Sequence, residues 1–296
     1  MEQLELEYKE DSPLSTIEQD EKIKKVKSFS LKNLVIISDF DYTLTKRFSS
    51  SDESNRVQYL CGFGFYDHCP NLPESFREAS RQLKEKYIKY ENDLSVPFEM
   101  RDKYTKLLYE EDLRLINELH LDKSFLLSNL EDTIKKKPFY FRKGVKKFIE
   151  FIIDNKIPFV IISGGIKETI EATLELLVGK PLPRNIQIIS NEFIYDKENK
   201  TKDFKKPLIY TFNKADIISH RIQEIIKEDE MKNKDILFLG DHINDIDAIK
   251  DLKPKNKVGV VFNNYFNQYK YLEKYDCVIS NEGSFDFINE LLSNIQ

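Results

Sequence analysis

The stretch Leu34-Val-Ile-Ile-Ser-Asp39-Phe40-Asp41-Tyr42-Thr43-Leu44-Thr45 decides the fold. A short apolar run rich in β-branched residues reads as a buried strand, and this one stops at two carboxylates spaced i, i+2. In an open α/β sheet, ligands bind outside the carboxyl ends of the strands, so the strand is expected to deliver Asp39 and Asp41 to a site. Side chains at i and i+2 leave an extended backbone on the same side, and both acids then serve one small volume. Two like charges that close require a cation, or one of them keeps a proton. The plain alternative is a strand ending in an acidic turn, because Asp is common in turns. These residues alone leave the two readings about even.

Outward from that strand, the chain has 296 residues, enough for one large or two ordinary domains. Charged residues make up 33% and hydrophobic ones 40%, with both signs interleaved, as in a soluble globular protein. A net charge of -5 gives no reason to expect nucleic acid or an anionic membrane as a partner. No apolar run reaches bilayer length, and residues 1–30 are too polar for a signal peptide. Three cysteines cannot form a complete disulfide set, which points to a reducing, cytoplasmic setting. Cys61, His68 and Cys69 lie close together, but no fourth ligand is evident and the spacing is irregular, so zinc is set aside. A monomer is expected.

Residues 1–30 read as a polar extension with an amphipathic helix over 17–26. From residue 73 to 136, Leu, Tyr and Phe recur every three or four positions among charges, which predicts three or four helices. Strands and helices alternate again from Arg142. A helix to residue 155 leads to a strand at 159–163, then Gly164-Gly165 and a helix through 177. A strand at 186–190 follows, and then a hairpin of 192–196 with 204–212. Helices are expected at 213–227, 245–251 and 285–292, and strands at 235–240, 258–262 and 277–280. The pattern predicts an α/β fold, a doubly wound and mostly parallel sheet built from residues 31–50 and 137–296. Residues 51–136 form a helical cap inserted after the first acidic strand.

Two further strands end in polar residues, one at Ser163-Gly164-Gly165 and one at Gly240-Asp241. Each has a bland reading: Ser163 as a helix N-cap, the glycines as a tight turn, Asp241 and Asp245 as cap and solvated face. Together they suit an anion, since a hydroxyl, backbone N–H groups and a helix N-terminus favour phosphate. Carboxylates from two strands beside that anion would hold a hard cation, most naturally Mg²⁺. A carboxylate nucleophile, Mg²⁺ and a phosphate site describe phosphoryl transfer through an aspartyl-phosphate.

Asp39-Phe-Asp41-Tyr-Thr43-Leu-Thr45, Ser163, a downstream Lys and Gly240-Asp241-x-x-x-Asp245 resemble the four motifs of the haloacid dehalogenase phosphatases, with their Rossmann-like core. Within that superfamily the chain is similar to the pyrimidine (type III cytosolic) 5′-nucleotidases over residues 34–296. The likeness includes Gln82-Leu-Lys-Glu-Lys-Tyr87, Gly144, Ile162-Ser163-Gly-Gly165-Ile166, Ile189-Ser-Asn191, Leu208-Ile, Phe212-Asn-Lys214 and the position of the cap. The resemblance implies Asp39 as nucleophile and metal ligand, and Asp41 as general acid/base giving its carbonyl to the metal. It implies Ser163, Gly164 and Lys214 as phosphate holders, Asp241 and Asp245 around Mg²⁺, and Thr43 ordering the first loop. Glu91 falls where the family contacts the nucleoside, and Tyr109 near an aromatic of the base pocket; their bland readings are a solvated helix charge and a core ring. His242-Ile243-Asn244 and Leu108 depart from the family pattern. The substrate implied is a nucleoside 5′-monophosphate, pyrimidine preferred. The alternatives are a phosphoserine-type phosphatase and a catalytically silent binding protein on this fold.

Overall fold

The structure is a computed structural model, and it describes residues 6–7, 16–18, 25–50, 54–93, 95–263, 268–280 and 282–295. Among them, seven strands make one sheet, in the order β1-β9-β8-β7-β2-β3-β4. These are β1 (Thr16–Glu18), β2 (Leu34–Asp39), β3 (Phe159–Ile166), β4 (Ile186–Asn191), β7 (Asp235–Gly240), β8 (Asn256–Asn263) and β9 (Cys277–Ser280). A separate hairpin pairs β5 (Phe193–Tyr195) with β6 (Thr201–Phe204). All pairings in the main sheet are parallel except β1 on β9.

β2 is buried along its whole length because successive side chains enter opposite cores. Leu34 and Ile36 join one apolar cluster with Val145, Phe148 and Ile152 of helix α5 (Val145–Asp154), Ile170 of α6 (Lys167–Val178) and Ile288 of α10 (Asp286–Ser293). Val35 and Ile37 join the other, with Ile218 and Ile222 of α7 (Lys214–Ile225). Both faces are therefore covered, and the sheet is doubly wound. From β2 the chain proceeds to β3 and β4 on one side and to β7, β8 and β9 on the other. That reversal opens a crevice at the carboxyl end of β2, where Asp39 pairs with Ile162 and Ser38 with Leu239.

Between β2 and β3 lie the helices α1 (Gly64–His68), α2 (Glu74–Asn92), α3 (Phe98–Asn117) and α4 (Phe125–Lys136). Leu113, Ile116, Leu130 and Ile134 extend the first apolar cluster, so this block is continuous with the sheet's core. The short helices α8 (Glu228–Met231) and α9 (Gln268–Tyr271) complete the connections.

Five local readings are corrected. The helix expected over residues 17–26 is replaced at its start by the edge strand β1 (Thr16–Glu18), while Lys25 and Val26 at its end are helical; residues 19–24 lie outside the described ones. The edge of β9 offers unpaired backbone groups, and β1 satisfies them. Leu6, Val26 and Phe29 are buried in the core, so the described part of the N-terminal stretch packs rather than trails. The second hairpin strand ends at Phe204, because Asn191 rather than a strand partner takes both backbone groups of Ile209, each at 2.8 Å. The third strand does not stop at Ser163: β3 runs to Ile166 across a register shift, so Ser163-Gly164-Gly165 forms a bulge. The turn at Asp245–Ile249 is 3₁₀ rather than α.

Candidate active site

Asp39 is the last residue of β2, and Asp41 lies in the turn that follows. Thr43 donates its hydroxyl to Asp39 Oδ2 at 3.2 Å, and Tyr42 N–H donates to Thr45 Oγ1 at 2.9 Å. From behind, Arg142 donates to the carbonyls of Tyr42 at 2.6 Å and Thr43 at 3.0 Å. On the open side, Gly62 N–H donates to Asp41 Oδ1 at 2.8 Å. A Cβ at Gly62 would stand 3.0 Å from Asp41 Oδ2, so a glycine lets that backbone approach.

β7 brings a second carboxylate beside the first, Asp241, and the following 3₁₀ turn adds Asp245. Asp245 Oδ2 accepts the N–H groups of His242 at 2.9 Å and Asp241 at 3.2 Å, which folds the Asp241–Asp245 loop on itself. The departure His242-Ile243-Asn244 therefore keeps the loop closed. Lys214, the first residue of α7, donates its ammonium to Asp39 Oδ1 and, at 3.1 Å, to Asp245 Oδ1. Among the described residues, Asp39, Asp241 and Asp245 each offer a carboxylate oxygen within 4.8 Å of the others. Three buried carboxylates facing one ammonium are an oxygen-rich, net negative donor set, which fits a hard divalent cation.

Burial and charge shift each member of the group. Burial pushes Asp39 up to about 7, even against the adjacent Lys214 ammonium. Asp41 is pushed up to about 6 by burial, opposed by the Gly62 N–H and Lys214. Burial and the negative charges of Asp245 and Asp39 raise Asp241 well above the carboxylate range. Burial also works against an ionised Asp245, but Lys214 and His242 hold it below its ordinary value. Lys214 resists the cost of burial because Asp245 and Asp39 surround it, and its pKa rises.

Ser163 follows Ile162, the register partner of Asp39, and faces Asp41 across Gly165, with its hydroxyl accepting Gly165 N–H at 2.9 Å. It does not cap α6, whose N-cap position is Ile166. Gly164 is held from below by Asn191, which donates to its carbonyl at 2.8 Å. Above it lies Tyr109 of α3: a Cβ at Gly164 would meet Tyr109 Oη at 3.3 Å, so the missing side chain makes room for the ring. Tyr109 is thus at the site, half-buried, while Leu108 beside it is buried. Glu91, at the end of α2, accepts the hydroxyl of Thr211, which lies 3.4 Å from Tyr109 Oη. Burial raises the Glu91 carboxyl, and Thr211, Arg47 and Arg101 oppose the rise. Phe63 meets Tyr109 edge-on at 5.3 Å.

A family profile described as pyrimidine 5′-nucleotidase (UMPH-1) matches residues 42–296. The chain belongs to that family. Its relatives include a 7-methylguanosine phosphate-specific 5′-nucleotidase of Drosophila melanogaster, 26% identical over 270 residues that cover 90% of this chain and 81% of the relative. A putative cytosolic 5′-nucleotidase 3 of Caenorhabditis elegans is 28% identical over 285 residues, covering 93% and 72%. Among solved structures, cytosolic 5′-nucleotidase IIIB bound to cytidine superposes with a TM-score of 0.74 at 21% identity, covering 94% of this chain and 93% of that one. A probable phosphoserine phosphatase from Vibrio cholerae follows at 0.52 and 14%, covering 90% and 67%. The latter two likenesses show the shared haloacid dehalogenase-like fold. As a member of the pyrimidine 5′-nucleotidase family, the chain is a phosphoric monoester hydrolase. The family match begins at Tyr42, one residue past Asp41, so the geometry of the two first-motif acids is independent of it.

All nine residues expected at the site come together around one crevice: Asp39, Asp41, Ser163, Gly164, Lys214, Asp241 and Asp245 at its floor, Glu91 and Tyr109 above. Sequence reasoning missed Gly62, Arg142 and Thr211. Asn191 stood in the stretch Ile189-Ser-Asn191 without a role, although a polar residue at the end of an apolar strand was the signal available.

Proposed function

We propose that this pyrimidine 5′-nucleotidase family member is a Mg²⁺-dependent 5′-nucleotidase that releases phosphate from nucleoside 5′-monophosphates, pyrimidine ones preferred. The observation that carries the proposal is the convergence of Asp39, Asp41, Lys214, Asp241 and Asp245 under Glu91 and Tyr109. Residues 51–136 act as the cap, residues 31–50 and 137–296 as the core, and residues 1–30 as an extension whose described part packs on that core. A cytosolic location is proposed, in keeping with the name of the worm relative.

Asp39 attacks the phosphorus, and the bond to the 5′-oxygen breaks. Asp41, raised by burial to about 6, gives its proton to that departing oxygen. The aspartyl-phosphate on Asp39 is then cleaved by water, which Asp41, now ionised, deprotonates; phosphate leaves and both carboxyl groups return to their starting states. Ser163, the backbone at Gly164 and Lys214 hold the phosphoryl oxygens. Side-chain oxygens of Asp39, Asp241 and Asp245, with the Asp41 carbonyl, would hold Mg²⁺, which supplies charge neutralisation and alignment of the phosphate when bound. Glu91 accepts hydrogen bonds from the nucleoside, and Tyr109 lies against its base. A half-buried carboxylate linked through Thr211 to the Tyr109 ring also suits the cationic base of 7-methylguanosine 5′-monophosphate, a second reading supported by the name of the fly relative.

A panel of CMP, UMP, 7-methylguanosine 5′-monophosphate, phosphoserine and p-nitrophenyl phosphate, assayed with Mg²⁺ and with EDTA, tests the proposal. The expected ranking puts CMP and UMP first. Preference for 7-methylguanosine 5′-monophosphate would favour the second reading, and phosphoserine ahead of every nucleotide would make this a phosphoserine-type enzyme. No turnover of any ester would make it a silent binding protein.

A further inference from the structure

The segment leading into Lys214 is the seam between cap and core, and three consecutive residues of it dock on the cap. Tyr210 donates its hydroxyl to Asp102 Oδ1 at 2.8 Å. Thr211 donates to Glu91 Oε1 and lies 3.4 Å from Tyr109 Oη. Phe212 meets Phe98 edge-on at 5.4 Å and carries the Arg101 guanidinium 5.1 Å from its ring centre. The backbone beneath is fixed: Asn213 accepts Tyr210 N–H and donates to the Leu208 carbonyl, both at 2.8 Å, and Lys214 N–H donates to the Tyr210 carbonyl at 3.0 Å.

Thr211 is the node of this seam. A hydroxyl has one proton, and Thr211 gives it to Glu91, so the bond with Tyr109 runs from the tyrosine hydroxyl to Thr211 Oγ1. One core oxygen thereby orders groups from two cap helices. Arg101 holds the backbone at the end of α2, donating to the carbonyls of Glu91 at 2.7 Å and Tyr90 at 3.3 Å. The Glu91 carboxylate itself accepts the Thr211 hydroxyl, with the charges of Arg47 and Arg101 near it.

Building on the nucleotidase reading above, we propose that Thr211 is a positioning residue for substrate selection. Its hydroxyl holds Glu91 and Tyr109 in the orientation that meets the nucleoside. Standing three residues before Lys214 on a fixed backbone, it sets that orientation against the phosphate end of the substrate.

The test is kcat/KM for CMP, UMP and p-nitrophenyl phosphate in T211V, T211A and T211S. Valine keeps the shape and removes the hydroxyl, alanine serves if valine unfolds the protein, and serine restores the hydroxyl. The expected loss on nucleotides in T211V or T211A is about tenfold to a hundredfold, the span for one bond to a charged group. It should exceed the loss on p-nitrophenyl phosphate at least about tenfold, and T211S should return to within a few-fold of wild type. In an E91A background T211V should add little, because the two residues act as one unit. Equal losses on both substrate types, no loss on nucleotides, failure of T211S to rescue, or full additivity with E91A would overturn the proposal. A wild type that prefers p-nitrophenyl phosphate to every nucleotide would end the nucleotidase reading and this proposal together. A nucleotide-preferring wild type with an indifferent T211V would end this proposal alone.

Discussion

Asp39, Asp241 and Asp245 set three buried carboxylates beside one ammonium, and burial with the repulsion among the acids raises the pKa of the first two. Asp241→Ala removes a proposed metal ligand and should raise the Mg²⁺ concentration needed for half-maximal rate or abolish activity, read from a Mg²⁺ titration. Ca²⁺ should substitute poorly, because its larger, looser shell does not hold phosphate and carboxylate in line; full activity in EDTA would refute the metal site. Asp41→Asn should lower kcat on CMP by roughly 10²–10⁴-fold, the usual span for losing a general acid. The loss should be smaller on p-nitrophenyl phosphate, whose leaving group departs without a proton. The acids were readable in the sequence because an apolar strand that stops at two carboxylates spaced i, i+2 aims both at one volume. Thr211 was not, because a loop threonine acquires its partners Glu91 and Tyr109 only when cap and core meet.

Among the elements, the turn after β2 depends on a residue that the sequence left anonymous. Arg142 is fully buried and donates to the carbonyls of Tyr42, Thr43 and Gly283, with Glu282 3.8 Å away. Arg142→Met would strand those carbonyls and leave Glu282 without this buried counter-charge, so a loss of about 3–5 kcal/mol is expected in urea unfolding. A change under about 1 kcal/mol would mean the turn holds itself. The central strands were legible because both their faces are buried and their composition is near-uniformly apolar. The edges were not. Thr16–Glu18 is a strand only because β9 needs a partner, and residues 205–212 leave the hairpin because the Asn191 amide competes for the Ile209 backbone.

At the scale of the whole molecule, the alternation of strands and helices foretold the doubly wound sheet, and the order of strands around β2 fixes where its crevice opens. Stability away from that crevice should depend on pH through Glu168. Burial pushes its carboxyl from the ordinary 4.5 up to about 7, although the Phe193 N–H donates to it at 3.1 Å. A folded-state pKa above the unfolded one means that the fold takes up a proton. The contribution is complete below 4.5 and is lost as the pH rises through about 7. Glu168→Gln has no such proton, so it should gain about 1–3 kcal/mol on the wild type between roughly pH 5 and pH 8 in paired urea titrations. Parallel pH profiles would mean that Glu168 is ionised in the fold. The fold, the proposed cap and the proposed metal ligands all converge on the carboxylate at the end of β2, and the most direct test is kcat/KM for CMP with Mg²⁺ in a folded Asp39→Asn protein. The covalent mechanism predicts a loss of at least about 10³-fold, because an amide cannot form the acyl-phosphate; a rate near that of the wild type would contradict it.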